Sequence, residues 1–336
     1  MWPPTCSIAE LVESLQVDDA QRAAIAALPQ GSPEWLAARR GRLTASNFGA
    51  AAGRQGRAKQ LDLIRHMVWP ETAALSGFVQ RMAQYGTQYE SVAREIYATD
   101  RARGNALYTS PRVRIYETGL LVSASHGWLG ASPDFVVEEP VDARLPPATP
   151  PANIFHEHDP YVIDHECGHH FYLAGADAPL EPEGAVLQGC GEIKCPAAAV
   201  KVFYSEKGAQ HARYGFPDFY YDQIQGAMAI NSWPWCDTVV YTPTRTQVIR
   251  FRRNSRYWCT SLFPALEEFY FQMYLPVLER RLAGLLTPDT LTWAGLPAQV
   301  SLPPRVWVSP HPIIDDPVPW FTKQRVTCSF VVFALV

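Results

Sequence analysis

With 336 residues, 47% of them hydrophobic and 18% charged, the chain is long enough for one large domain with a sizeable core. Its longest uninterrupted apolar run, residues 330–336, is far too short to cross a bilayer, and Met1-Trp2-Pro3-Pro4 lacks the features of a secretory signal. The net charge of −4 does not exclude a phosphate-bearing partner, because residues 138–188 hold ten acids and one base, which leaves 28 bases against 23 acids elsewhere.

In chain order, apolar residues recur at helical spacing over 7–28, and Pro29-Gln30-Gly31 stops that helix. Ser32-Pro33-Glu34 restarts one, with a cap and a proline at the first helical position. It runs to about Arg40 and leads into Gly41-Arg42-Leu43-Thr44-Ala45-Ser46, where Thr44 is a second N-cap candidate. A helix start, hydroxyls and nearby arginines make either an anion site or a solvated basic turn. Helices are expected over 57–69 and 77–99, the second with Glu90 in its middle. Strands are expected at 113–116, 120–124 and 128–137, with Asp134 inside the third beside Pro133.

Residues 138–188, rich in acids, prolines and histidines, interrupt this pattern and read as an insertion. A strand 189–195, a helix 217–231, strands 236–241 and 247–251 and a long apolar helix 257–282 follow. The tail 283–336 is proline-rich. The expected fold is α/β (α+β): a central mixed sheet flanked by helices, with residues 1–282 as one domain and 283–336 as an extension. Seven scattered cysteines without a C-x-x-C pair suggest reduced thiols and an intracellular protein that is neither secreted nor membrane-bound.

On strand 189–195, Glu192 and Lys194 share one face and Ile193 turns to the other. Alone, E-x-K reads as a plain ion pair. Asp134 adds a second carboxylate, and the three residues then supply what metal-dependent phosphodiester hydrolysis needs. Hard oxygen ligands suit Mg²⁺ or Mn²⁺, and a lysine beside the attacking water holds it and offsets charge. The Ile193 carbonyl, between the two side chains, is a natural extra ligand.

Pro133-Asp134 followed by Glu192-Ile193-Lys194 has the form of the PD-(D/E)xK nuclease signature, and the flanking blocks resemble the lambda-exonuclease, or YqaJ-type viral recombinase, family. The carriers are Trp35 to Ser46 (W-x-x-x-R-x-G-x-x-T-A-S), Gly86 to Glu90 (G-x-x-x-E), Ser132-Pro133-Asp134, Gly191 to Pro196, and Tyr220 to Gln225 (Y-x-x-Q-x-Q). The resemblance implies a restriction-endonuclease-like core and a 5′→3′ exonuclease on linear duplex DNA, exposing 3′ single strands for recombination. It implies Asp134, Glu192 and the Ile193 carbonyl as ligands of two Mg²⁺ or Mn²⁺ ions, with Glu90 acting directly or through water. Lys194 would position or activate the water, with Gln223 and Tyr220 lining the site. Arg39, Ser46 and Ser132 would hold a 5′-phosphate, with Tyr220 close to the DNA. A homotrimer, an annealing protein as partner and a host cell's cytoplasm or nucleus also follow from the resemblance alone.

Three departures stand out. Phe135 replaces a glycine common after the aspartate, the tail beyond about residue 283 has no counterpart in the family, and the acidic insertion separates the two metal-binding strands, where it could restrict DNA entry, mediate assembly or bind a partner. The rival functions are an endonuclease on the same core and a catalytically idle DNA-binding or assembly module. His156, His158, His165, His169 and His170 with Cys167 form a Zn²⁺ candidate, but their spacing matches no zinc finger and solvated histidines are the simpler reading.

Overall fold

A computed structural model describes residues 7–72, 77–103, 113–140, 161–163, 186–196, 212–213, 216–243 and 245–292. Helices α1 (Ile8–Ser14), α2 (Asp19–Ala26) and α3 (Pro33–Arg39) precede strand β1 (Leu43–Thr44) and helices α4 (Phe48–Ala51), α5 (Arg57–Val68) and α6 (Gly77–Arg103). Strands β2 (Arg114–Tyr116), β3 (Leu121–Val122), β4 (Leu129–Ala131), β5 (Phe135–Pro140), β6 (Tyr161–Ile163), β7 (Val186–Lys194), β8 (Ala212–Arg213) and β9 (Phe216–Pro217) follow. Helix α7 (Asp218–Asn231) leads into β10 (Trp235–Thr242) and β11 (Arg245–Arg252). The C-terminal helical run comprises α8 (Ser255–Tyr257), α9 (Phe263–Glu268) and α10 (Leu275–Leu282), joined by wide turns at Trp258–Leu262 and Phe269–Tyr274.

Six strands form the main sheet in the order β2-β5-β7-β10-β11-β6. It is mixed, because β7 and β10 are parallel while the other neighbours run antiparallel. A smaller three-stranded sheet has the order β1-β4-β3, with β1 parallel and β3 antiparallel to β4. Strand alternation sorts the side chains onto two faces. Phe135, Val137, Ile193 and Val239 pack with Ala93 and Tyr97 of α6. Val136, Cys190, Cys236 and Val240 pack into the larger core with Ile224 and Met228 of α7. The expected mixed sheet between helices is therefore the fold observed.

Several local expectations need correction. The single helix over 7–28 is two helices, because Ser7 and Asp18 each open one with a capping box, closed by Glu10 and Gln21 respectively. Thr44 precedes a turn of 3-10 helix but its hydroxyl does not cap it. The strand expected over 128–137 is two strands in different sheets, split at Ser132-Pro133-Asp134. Proline cannot donate to a ladder, so pairing stops there and Asp134 stands at the mouth of β5 rather than within it. The helix over 257–282 is interrupted by wide turns, and regular turns resume at Pro264 and Pro276, which lack an N–H donor.

Residues 138–140 and 186–188, at the two ends of the expected insertion, are paired as strand, with Glu138 opposite Gln188. Within the insertion, Tyr161–Ile163 forms β6 against β11. The histidine cluster and the tail beyond residue 292 lie outside the described residues. Phe135 has a structural partner for its departure. It sits directly across from Gly191, where a Cβ would lie 2.0 Å from the phenyl ring, so the aromatic ring fills the space a bare backbone leaves.

Candidate active site

The antiparallel register brings the start of β5 beside the end of β7. The Asp134 amide donates to the Gly191 carbonyl at 3.0 Å, which begins the ladder. Two residues further along β7, the Ile193 amide donates to Asp134 Oδ2 at 2.5 Å. Because N–H and C=O of one strand residue point to the same side, the ladder aims the Ile193 carbonyl toward this edge as well.

Glu192 and Lys194 share the face covered by α7, as alternation requires. Lys194 Nζ donates to Glu192 Oε1 at 2.6 Å and to Gln223 Oε1 at 3.0 Å. Gln223 Nε2 donates to Glu192 Oε1 at 2.6 Å, closing a three-membered ring of hydrogen bonds. Tyr220, one turn earlier on α7, places its ring 4.4 Å below the ammonium. The i and i+3 spacing of Tyr220 and Gln223 puts both on the helix face that meets β7.

Glu90 comes from α6, on the side of the helix that carries Ala93 and Tyr97 into the core. Arg94 donates to it at 3.0 Å and also pairs with Glu117. The charge of Glu90 reaches Asp134. Burial, then the Glu192 and Glu90 carboxylates, raise the Asp134 carboxyl well above the usual range, opposed by Lys194 and the Ile193 amide. Burial alone would lower the Lys194 pKa, but Glu192, Tyr220 and Asp134 outweigh it and raise it. The lysine is an ammonium at neutral pH.

These residues offer a cation oxygen donors, negative charge and a position where adding positive charge relieves repulsion. That chemistry fits Mg²⁺ or Mn²⁺. Among the described residues no three His, Cys, Asp or Glu side chains converge tightly enough to enclose an ion by themselves. A carbonyl such as that of Ile193, with water or DNA oxygens, would have to complete the shell. Mg²⁺ commonly binds in this way, keeping several waters.

The second constellation is built around α3. Arg39 donates to Thr44 Oγ1 at 3.0 Å and stacks on the Trp35 ring, 4.3 Å from its centroid. The Thr44 and Ser46 hydroxyls are 3.5 Å apart. Trp35 Nε1 donates to Ser132 Oγ at 3.3 Å, which links this group to the residue two before Asp134. Burial lowers the Arg39 pKa, and no carboxylate pairs with it among the described residues. A partly buried guanidinium held by a hydroxyl and a ring has the chemistry to receive an anion such as a phosphate. Sequence reasoning placed Arg39, Ser46 and Ser132 together but missed that Thr44 and Trp35 connect them. Gln225, the last residue of the Y-x-x-Q-x-Q block, accepts from the Asn254 amide at 2.8 Å, so it secures α7 rather than lining the site.

A mixed sheet that presents Asp134, Glu192 and Lys194 at one end of adjacent strands defines a protein of the PD-(D/E)xK nuclease fold. More narrowly, the chain belongs to the YqaJ-like viral recombinase domain family, whose model matches residues 34–234 and so spans all five sequence blocks. Membership indicates a nuclease acting on DNA. Two solved structures are similar to the chain. One is LHK-Exo in complex with dAMP, at 20% identity over 76% of this chain and 96% of that one, with a TM-score of 0.46. The other is the alkaline exonuclease LHK-Exo from Laribacter hongkongensis, at 20% identity over 76% and 100%, with a TM-score of 0.44. No curated protein matches the chain. No helix among the described residues is long and apolar enough to cross a membrane.

Proposed function

We propose that the protein is a divalent-metal-dependent exonuclease that degrades linear double-stranded DNA from 5′ ends and leaves 3′ single strands. The observation that carries this reading is the Arg39 receptor, tied through Trp35 to Ser132 beside Asp134. A receptor for a terminal phosphate beside a hydrolytic site is what an enzyme acting from an end requires. An endonuclease has no use for one.

Asp134, Glu192 and the Ile193 carbonyl would hold Mg²⁺ or Mn²⁺, with Glu90 reaching it directly or through water. The ion, when bound, supplies a water of lowered pKa and charge stabilisation at the scissile phosphate. Lys194 orients that water and offsets the developing negative charge from its position against Glu192 and Gln223. As an ammonium it acts by hydrogen bonding, and proton abstraction by Lys194 requires its acidic neighbours to be neutralised first. Gln223 holds Glu192 and Lys194 at a fixed spacing. Arg39, Ser46 and Ser132 receive the 5′-phosphate, and Tyr220 supports Lys194 next to the strand. A ring-shaped trimer and cooperation with an annealing protein belong to the same reading.

Digestion of end-labelled linear duplex with Mg²⁺, beside a closed circle, tests it. Loss of the linear DNA from 5′ ends with the circle spared is expected. Cleavage of the circle would make the protein an endonuclease, and binding without cleavage would make it an idle module.

Arg39→Ala should reduce kcat/KM on 5′-phosphorylated ends by about tenfold to a hundredfold, the scale of a lost charge-assisted bidentate contact, and change it little on 5′-hydroxyl ends. An equal loss on both ends would remove Arg39 from phosphate recognition.

The acid cluster also predicts a pH-dependent response to metal. Asp134 keeps its proton in the folded protein to higher pH than in the unfolded chain, where the group has its ordinary pKa. Above that ordinary value the folded state binds more protons, so the ion-free protein loses stability as pH rises toward the folded pKa. Mg²⁺ should therefore raise Tm at pH 8 and scarcely at pH 4.5. Equal increments at both pH values would place the binding elsewhere.

A further inference from the structure

Between α2 and α3 the chain makes a tight turn, with the Ser32 amide donating to the Pro29 carbonyl at 3.1 Å and Gly31 at φ +83°. This turn sets Gln30 at a corner, and its side chain turns away from its own helices. Gln30 Nε2 donates to the Thr118 carbonyl at 2.8 Å and to the Pro133 carbonyl at 2.9 Å. Both hydrogens of one amide nitrogen are used, on two segments far apart in sequence.

The segments it joins matter for the reaction. Pro133 directly precedes Asp134. Thr118 follows Glu117, which pairs with Arg94, the partner of Glu90. Gln30 itself stands two residues before the Ser32 cap of α3, the helix that carries Trp35 and Arg39. One side chain thus ties the turn that opens α3 to the Asp134 loop and to the segment whose Glu117 shares Arg94 with Glu90. Asp134 has its own anchors in Gly191 and Ile193, so it does not depend on Gln30 for its place in the sheet. The receptor is joined to that loop also by the 3.3 Å contact of Trp35 with Ser132 and, through Thr44, by the β1–β4 pairing, and what Gln30 adds is a hold on the start of α3, which carries Trp35 and Arg39.

We infer that Gln30 is a specificity-determining positioning residue that fixes the span between the 5′-phosphate receptor and the hydrolytic site. This deepens the proposed function and rests on it. A fixed span converts binding of the terminal phosphate into correct placement of the scissile one. Displacement of such a group by about 1 Å is enough to cost on the order of a hundredfold in rate. Loosening the span removes the advantage of a phosphorylated end and leaves cleavage of an unphosphorylated end as it was.

The test uses the full chain carrying Gln30→Glu, which keeps the size and loses both donors, and Gln30→Lys, which restores donors. Each is assayed with Mg²⁺ on one linear duplex bearing either 5′-phosphate or 5′-hydroxyl ends, with Tm measured in parallel. Gln30→Glu should lower kcat/KM on phosphorylated ends by about tenfold or more and leave hydroxyl ends within about twofold. Gln30→Lys should recover much of the preference. If Gln30→Glu does not fold, Gln30→Ala, which admits water to both carbonyls, takes its place with the same expectation. Retained preference in the donor-less variant, or equal loss on both ends, overturns the role of Gln30. A wild type that degrades linear DNA without any phosphate preference overturns the receptor itself, and Gln30's role with it.

Discussion

Replacing Lys194 by methionine is expected to reduce cleavage by about a thousandfold, within the range for removing a group that stabilises or activates in the transition state. The ammonium bonds Glu192 and Gln223 and supplies positive charge facing Glu192 and Asp134. Methionine keeps the stem against Tyr220 and loses only the donors. DNA binding, measured by a mobility shift in Ca²⁺, should survive, since the Arg39 receptor is untouched. Single-turnover cleavage that stays within about tenfold of wild type would show that Lys194 is a structural ion-pair member only.

Asp222→Ala is expected to be the most damaging substitution for stability. Asp222 is fully buried and accepts from Arg54 Nε at 3.0 Å, from Tyr257 Oη, and has further contacts, while Arg54 also donates to Tyr257 Oη at 2.8 Å. Removing the carboxylate strands a partly buried guanidinium, which costs about 3–5 kcal/mol. For a chain of this size that is roughly a 10 °C fall in Tm. The network joins α7 to the loop after α4 and to α8, so Gln223 and Tyr220 are held by the same bonds. Arg54→Met added to Asp222→Leu should be milder than the sum of the single changes, because neither charge is then left alone. Strict additivity would mean that the pair does not act as a unit.

The strand bearing Glu192 and Lys194 was legible because alternation alone fixes its faces, whereas Tyr220 and Gln223 on its partner helix were singled out only by the resemblance of that block to Y-x-x-Q-x-Q. The split at Pro133 was signalled by the proline but read as an irregular strand, since nothing local says that β4 and β5 belong to different sheets. The break near residue 16 had a clear signal in Ser7/Glu10 and Asp18/Gln21, two capping boxes hidden under a continuous apolar pattern. Arg54 with Asp222 and Tyr257, and Gln30 with Pro133, could not be read at all. Their partners lie 168 and 35, and 103, residues apart, and long-range polar pairing leaves no periodic trace. Phe135 was legible as an anomaly only, and Gly191 opposite explains it.

Asp134 and Lys194 stand at one end of the β5–β7 hairpin, and the acidic excursion departs from the other, where Pro140 is opposite Val186. Six strand residues at about 3.3 Å each separate its roots from the chemistry by roughly 17–20 Å. The two roots lie one ladder spacing apart, so this is a natural splice point: a reporter or tether exchanged for residues 141–185 would meet the hairpin with matched ends. Such a graft would also take away β6, the outermost strand, and uncover β11 as a new rim. The replacement would therefore need a charged or strand-shaped cover to keep copies of the protein from joining edge to edge.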